Sequence, residues 1–388
     1  MKARFIAMYL PQFHPIPDND QFWGKGFTEW TNVAKAKPVF RGHYQPHIPA
    51  DLGFYDLRLE ESRIAQAELA QKYGVEGFCY WYYWFGNGEK ILERPFTEVL
   101  KSGKPDFPFC LAWANHTWAT TTWSNDKKKS DVIIKEQKYL GEKDYIAFFY
   151  DVLPALKDKR YIQVDGKPLF LIFNPNVIPD VDVFIKTWKR LAVENGLKGI
   201  YIVGSSSGVS YSNKSVGGNT HHLPSLKQMP EIYKNMLEKG FDGINSQNMD
   251  RAMVEIEGPV MNFIKKAIFL HSPIHTLDKC DQHKFNEHLL TEYDSQENVF
   301  PSLYCNWDRT PRAGRSAKVL TNSTPDVFKK LLRKALKIVE NKSDDHKIIF
   351  IRSWNEWGEG NHLEPDLKYG CGYLEAIKDI LSEDDDNN

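Results

Sequence analysis

The stretch Lys347-Ile348-Ile349-Phe350-Ile351-Arg352-Ser353-Trp354-Asn355-Glu356-Trp357-Gly358-Glu359-Gly360 ends an apolar run of strand length in two carboxylic acids three residues apart. Buried strands favour β-branched and aromatic residues and rarely carry acids, so two acids at such a point call for an explanation. A solvated turn is the plain one, since Gly358 and Gly360 are ordinary turn residues. Against it, Trp354 and Trp357 bracket Asn355 and Glu356, and a turn has no need of two indoles. Rings beside carboxylates suit sugar chemistry, where aromatics stack on pyranose faces and acids move protons. Acid–base work needs two groups whose surroundings hold one ionised and one protonated. The indoles can desolvate one acid and raise it, while Asn355 can hydrogen-bond and orient its partner. Glu356 and Glu359 are therefore the candidate catalytic pair.

Other residue sets compete with this pair or support it. Glu29, between Thr28 and Trp30, fits a substrate-hydroxyl ligand or a structural partner. Asp308 and Arg309, with Arg312 nearby, most simply form a local ion pair, with substrate binding as the alternative role. Among 12 histidines, His43/His47, His221/His222 and His271/His275 have ligand-like spacing. A metal centre usually needs three convergent ligands, HExxH is absent and nothing marks which would converge, so no metal site is expected. A serine nucleophile is not supported, because no GxSxG occurs and Ser205–Ser207 lie in a Gly-rich loop without a marked partner.

Positioning these residues falls to an alternation of apolar runs and amphipathic segments, the signature of a parallel α/β fold. Strands are expected near Arg4–Leu10, Gly77–Trp84, Phe107–Ala114, Leu169–Phe173, Gly199–Val203, Gly243–Ile244, Ser302–Cys305 and Ile348–Ser353. Helical periods fall at about Leu59–Tyr73, Ile91–Ser102, Lys143–Leu156, Val181–Glu194, Leu226–Lys239, Ala252–Phe269, Pro325–Glu340 and Gly372–Leu381. Eight of each in alternation predict a single-domain α/β protein, a (β/α)8 TIM barrel with long βα loops. A doubly wound sheet loses because no strand is followed by GxGxxG or GxxxxGK[ST].

In a barrel, functional groups collect where strands end, in the βα loops. Tyr9 stands near the end of the first strand, Gln12, His14, Glu29, Trp30 and His43 follow it, and Tyr82 and Trp84 end the second. Trp113, Asn115 and His116 end the third, Asn174 the fourth, Trp307 and Asp308 the seventh, and Asn355 and Trp357 the eighth. Together they predict one polar, aromatic-walled substrate pocket. For Tyr80–Phe85 only alternate side chains can face it, and the register decides which.

Composition narrows the partners. Lys plus Arg (50) nearly balances Asp plus Glu (51), which argues against a dedicated nucleic-acid binder. Aromatic residues make up 13% of the chain, a content that suits a carbohydrate cleft as well as a core. The five cysteines are scattered without CxxC spacing; Cys79, Cys110 and Cys305 sit in apolar runs where a buried thiol fits. No apolar stretch approaches the ~20 residues of a membrane helix, and Arg4–Leu10 reads as a strand rather than a signal peptide, so the expected location is cytoplasmic.

The motifs Tyr9-Leu10-Pro11-Gln12-Phe13-His14-Pro15, Trp23-Gly24-Lys25-Gly26-Phe27-Thr28-Glu29-Trp30-Thr31-Asn32-Val33, Gly42-His43-Tyr44-Gln45-Pro46 and Trp354-Asn355-Glu356-Trp357-Gly358-Glu359-Gly360 with Glu364-Pro365 resemble the WbsX-type family. Its members are labelled lipopolysaccharide-biosynthesis glycosyltransferases and are related to glycoside hydrolase family 99. The resemblance implies a catalytic barrel over residues 1–381; the acidic composition of 382–388 reads as a disordered tail. It also implies an oligo- or polysaccharide substrate and no metal or other cofactor. Family 99 enzymes are retaining endo-α-mannosidases and endomannanases. By resemblance, Glu356 is a base on the sugar 2-hydroxyl, forming an anhydro-sugar, and Glu359 is acid and then base at the glycosidic oxygen. The Pro-Gln-Phe-His region differs from typical family 99 members, so mannose specificity does not carry over with the fold. A retaining hydrolase of an α-linked glycan leads. A surface-polysaccharide glycosyltransferase and a non-catalytic glycan-binding barrel are the alternatives. A transferase's DxD letters occur at Asp18-Asn19-Asp20, Asp180-Val181-Asp182 and Asp384-Asp385-Asp386.

Overall fold

The computed structural model describes residues 2–119, 132–206, 226–258, 261 and 277–383. Eight parallel strands close on themselves: β1 (Arg4–Tyr9), β2 (Gly77–Trp84), β3 (Phe109–Trp113), β4 (Lys167–Ile172), β5 (Tyr201–Ser205), β6 (Gly243–Ser246), β7 (Val299–Tyr304) and β8 (Ile348–Arg352). Closure comes from β1, which pairs with β8 (Arg4↔Ile348 through Ala7↔Ile351) and with β2 (Ile6↔Gly77 through Tyr9↔Tyr80). All eight expected strands are present, and the fold is a TIM barrel. The least apolar, β6, reads Gly-Ile-Asn-Ser, and Asn245 is satisfied inside by the Phe300 carbonyl and the Ser302 hydroxyl at 3.0 and 2.9 Å.

Helices cover the barrel because one stripe of each is apolar. In Pro325–Val339, Val327, Phe328, Leu331, Leu332, Ala335 and Val339 are buried at helical spacing. Proline stands at its first position, and the Thr324 hydroxyl caps the Val327 amide at 3.3 Å. Each large apolar side chain so buried contributes roughly 1.5–3 kcal/mol of transfer free energy. The last helix, Gly372–Ser382, packs on it, so Ser382 belongs to the fold rather than to a tail; residues 384–388 lie outside the described residues. Of the expected helix Ala252–Phe269, residues through 258 are helical, and 262–269 lie outside the described residues.

Among the described residues, three helices of seven residues or more have no counterpart among the expected elements: Pro17–Trp23, Glu29–Lys35 and Gln282–Leu289. All are short, seven or eight residues, and too brief for a hydrophobic period to register. Cys79, Cys110 and Cys305 are buried free thiols, as expected.

Candidate active site

At the top of β8 the chain turns sharply. Asn355–Glu356 pairs antiparallel with Asn361–His362, and Trp357–Glu359 forms a 3-10 turn between them. Asn355 anchors the turn to the first strand: its side-chain oxygen accepts the Leu10 amide at 2.7 Å, and its nitrogen donates to the Leu10 carbonyl at 3.1 Å. It therefore holds backbone and does not orient Glu356; that is done by Ser353, whose hydroxyl accepts the Glu356 amide at 3.1 Å.

Two glycines make the turn possible. A Cβ on Gly358 would lie 1.9 Å from Glu29 Oε1, the atom that accepts the Gly358 amide at 2.8 Å. Gly360, at φ +54°, presses against the Asp308 backbone, where a Cβ would meet the amide nitrogen at 2.9 Å.

Glu356 and Glu359 converge on one buried guanidinium. Arg312 Nη2 donates to Glu356 Oε2 at 2.9 Å, and Nη1 stands 2.7 Å from Glu359 Oε1. Its Nε and Nη2 also donate to Glu29 Oε1, at 3.0 and 2.7 Å. Arg309 Nε lies 3.4 Å from Glu359. Three carboxylates around one cation cannot all ionise cheaply. Burial raises Glu356 to about 7, reinforced by Glu359 and Glu29 against the pull of Arg312. Burial also opposes ionisation of Glu359, but Arg312, Arg309 and Arg352 outweigh it and hold that acid below its ordinary range. Glu29, fully buried, is raised by desolvation despite Arg312. One acid of the pair is thus poised to hold a proton and the other to stay ionised. In the free site the holder is Glu356.

The other expected site residues divide into groups. Glu29, His43, Trp307 and Asp308 lie at the site or beside it. Asp308 pairs with His43 (2.6 Å) and Gln45 (2.6 Å) rather than with Arg309, and its amide donates to the Glu359 carbonyl at 2.7 Å. His43, Trp307, Asp308 and Gly360 line a cavity of about 470 Å³. The two glutamates are not on its wall but adjoin it through Gly360 and Asp308. Trp30 and Trp357 are buried packing rings; Trp30 donates to the Tyr55 carbonyl at 2.8 Å and Trp357 to Glu364 at 2.6 Å. Trp354 is also sealed, against Phe78, so neither indole flanking Glu356 offers a sugar platform.

The remaining residues take structural contacts. Gln12 is fully buried, and among the described residues its amide finds no hydrogen-bond partner. His14 bonds the Pro11 carbonyl at 3.0 Å. Asn115 ties the loop after β3 to Asn174 through bonds of 2.7 Å in both directions, and His116 packs edge-on against Phe173.

Four strand residues expected at the pocket lie elsewhere. Tyr9, Tyr82, Trp84 and Trp113 face the helices, not the barrel mouth. Tyr9 bonds Gln66 (2.6 Å), Tyr82 bonds Asp151 (2.5 Å), Trp84 bonds Asp144 (3.1 Å), and Trp113 packs on Phe148 and Phe184. The neighbouring residues on β2 face inward. The Tyr83 hydroxyl is raised well above its usual range first by burial, then by Glu356, with Glu29 and Glu359 also nearby. Trp81 lies 5.4 Å beneath the Arg352 guanidinium. Strand alternation makes this a one-residue choice of face, which a strand with aromatic residues on both faces does not reveal. The role of Arg312 as the hub was also missed; Arg312 and Glu29 are 283 residues apart in sequence. The DxD runs are engaged elsewhere: Asp18 with Lys135, Asp20 with the Gly26 amide, Asp180 with Tyr145 and Asp182 with Lys186, while 384–386 lie outside the described residues.

The sequence model of the family described as Glycosyltransferase WbsX matches residues 5–377. The chain belongs to the WbsX family. That description makes the family a carbohydrate-active one. Two uncharacterized WxcX proteins, from two strains of Xanthomonas campestris pv. campestris, are each 31% identical over 385 residues and 98% of this chain. This WbsX-family chain spans about half the length of those relatives, 50%. Among solved structures, a GH99 endo-alpha-mannosidase from Bacteroides thetaiotaomicron matches with TM-score 0.51 at 13% identity, covering 98% of this chain and 96% of that one. A glycoside hydrolase-like protein matches with TM-score 0.57 at 14% identity, covering 97% and 93%. At such identities the likeness concerns the barrel fold.

Proposed function

We propose that this WbsX-family chain is a retaining, endo-acting glycoside hydrolase of an α-linked glycan, mannose-containing substrates included, with Glu356 and Glu359 as its acid–base pair. The observation that carries the reading is the pair's attachment to opposite terminal nitrogens of one buried Arg312, with Glu356 raised to about 7 and Glu359 held ionised. Glu356 takes the proton of the sugar 2-hydroxyl, whose oxygen attacks the anomeric carbon and forms an anhydro-sugar. Glu359 gives its proton to the departing glycosidic oxygen. It then removes a proton from water, which opens the anhydro ring while Glu356 returns a proton to the 2-oxygen. Two inversions give net retention.

These roles require the shared proton on Glu359 once substrate is bound, whereas the free site keeps it on Glu356. Substrate supplies the exchange. A 2-hydroxyl donating to Glu356 lowers that acid, and a sugar covering the partly exposed Glu359 removes its water and raises it.

The family description favours a second reading, a glycosyltransferase in which an acceptor hydroxyl takes the place of water. Incubation with defined α-mannosides and bacterial O-antigen fragments, without nucleotide sugar, separates the two. Release of reducing ends supports hydrolysis. Turnover only with an added nucleotide-sugar or lipid-linked donor overturns it in favour of transfer, and binding without turnover under any condition leaves a glycan-binding barrel. Hydrolysis of poor leaving groups that survives Glu359→Gln would sink the acid assignment.

A further inference from the structure

Beside the cavity, three side chains from two loops direct ligand atoms at one another. His47 Nδ1 lies 3.1 Å from His362 Nε2, which lies 3.8 Å from Asp366 Oδ2. The ligand atoms of the three all fall within 4.8 Å of one another. The second polar atom of His362 and of Asp366 is already committed. His362 Nδ1 stands 3.0 Å from the Glu364 carbonyl, which only accepts; the proton therefore sits on Nδ1, and Nε2 keeps its lone pair. Asp366 Oδ1 accepts the amides of Lys368 (2.8 Å) and Tyr369 (2.7 Å), leaving Oδ2 toward His362. The Trp357 indole lies flat on the His362 ring, 3.7 Å away at 10°, and fixes its plane. A pinned tautomer and a fixed ring plane are what outer-shell partners give to a metal ligand.

We propose that His47, His362 and Asp366 bind one borderline divalent metal ion, of which Zn2+ is the type, with a further coordination position open to the cavity. Tetrahedral coordination at ~2.0–2.1 Å sets ligand atoms about 3.3 Å apart, and the observed 3.1 and 3.8 Å bracket that spacing. Two imidazoles and one carboxylate suit a first-row transition ion better than Mg2+ or Ca2+. His47 and Asp366 line the cavity of about 470 Å³, which supplies the entry path. The competing arrangement needs no ion: His47 Nδ1–H donates to His362 Nε2. The site goes beyond the glycan chemistry proposed above, and its test reads binding rather than turnover.

The full chain is stripped with a chelator, and Zn2+ alone is titrated by calorimetry, with Co2+ as a spectroscopic probe. Binding of one Zn2+ per chain is expected, together with the visible absorption of low-coordinate Co2+. His47→Gln and Asp366→Asn are each expected to weaken Zn2+ binding by at least about 100-fold, the upper end of what losing only an outer-shell partner costs. His283→Gln, a cavity-wall histidine outside the triad, should leave binding unchanged. Melting curves establish first that each variant is folded; the deeply buried His362 is left intact for that reason. Absence of saturable one-to-one binding, or affinity unchanged in both triad variants, would overturn the proposal.

Discussion

Replacing Arg312 by Gln tests the electrostatic design of the site most directly. Arg312 is 6% exposed and faces Glu29 at 2.7 Å, Glu356 at 2.9 Å and Glu359 at 2.7 Å, all three largely or wholly buried. Unit charges with centres about 4 Å apart attract by about 4 kcal/mol at an effective dielectric of 20, so three such contacts offset the mutual repulsion and desolvation of the acids. Removing the cation of a buried pair costs about 3–5 kcal/mol because the partner charge is left unpaired. Glutamine keeps some hydrogen bonding but no charge, so a loss in that range is expected near neutral pH. The pH dependence follows from the sign of the shift. Without Arg312, Glu359 rises above its unfolded value near ~4.3, and Glu356 and Glu29, already raised by burial, rise further. A raised acid favours the folded state below its unfolded pKa, and that contribution is lost as pH rises through the folded value. The variant's deficit should therefore be smallest near pH 4–5 and grow toward pH 8. Denaturant melts of both proteins at pH 5 and pH 8, followed by circular dichroism, measure it. A deficit below about 1 kcal/mol, or one that does not change with pH, would refute the reasoning.

Further tests follow from the same geometry. Productive catalysis needs one proton on the pair, so kcat/KM on a glycan substrate should fall above about pH 7, where Glu356 loses it. It should also fall at acid pH as Glu359, held below its ordinary range, takes up a second proton; Glu356→Gln, which removes the base, should abolish turnover, and near-wild-type activity in that variant would overturn its role. Gly358→Ala puts a methyl group 1.9 Å from Glu29 Oε1, so about 1–3 kcal/mol of stability should go, with activity falling alongside; wild-type melting would show that the loop yields freely. Tyr83→Phe should lower turnover with little loss of stability. Tyr82→Phe should cost about 1 kcal/mol through its lost bond to Asp151 and leave turnover intact; the opposite pattern would reverse the assigned faces of β2.

The sequence by itself determined the alternation of strands and helices, the barrel it builds, and the two glutamates at the end of β8, because each is written locally in period and spacing. It also carried the family, through motifs of consecutive residues. Tertiary structure alone decided which aromatic rings matter. Gly77–Trp84 has large residues on both faces, so no polar alternation reveals that Trp81 and Tyr83 turn inward while Tyr82 and Trp84 pack on helices. The indoles around Glu356 looked like a platform and proved to be packing, because adjacency in sequence says nothing of what folds over a ring. Arg312 meets Glu29 across 283 residues, and His47 meets His362 across 315. Such meetings are products of barrel closure: the loops after β1, β7 and β8 are brought together only when β8 pairs with β1, and no local pattern records that pairing.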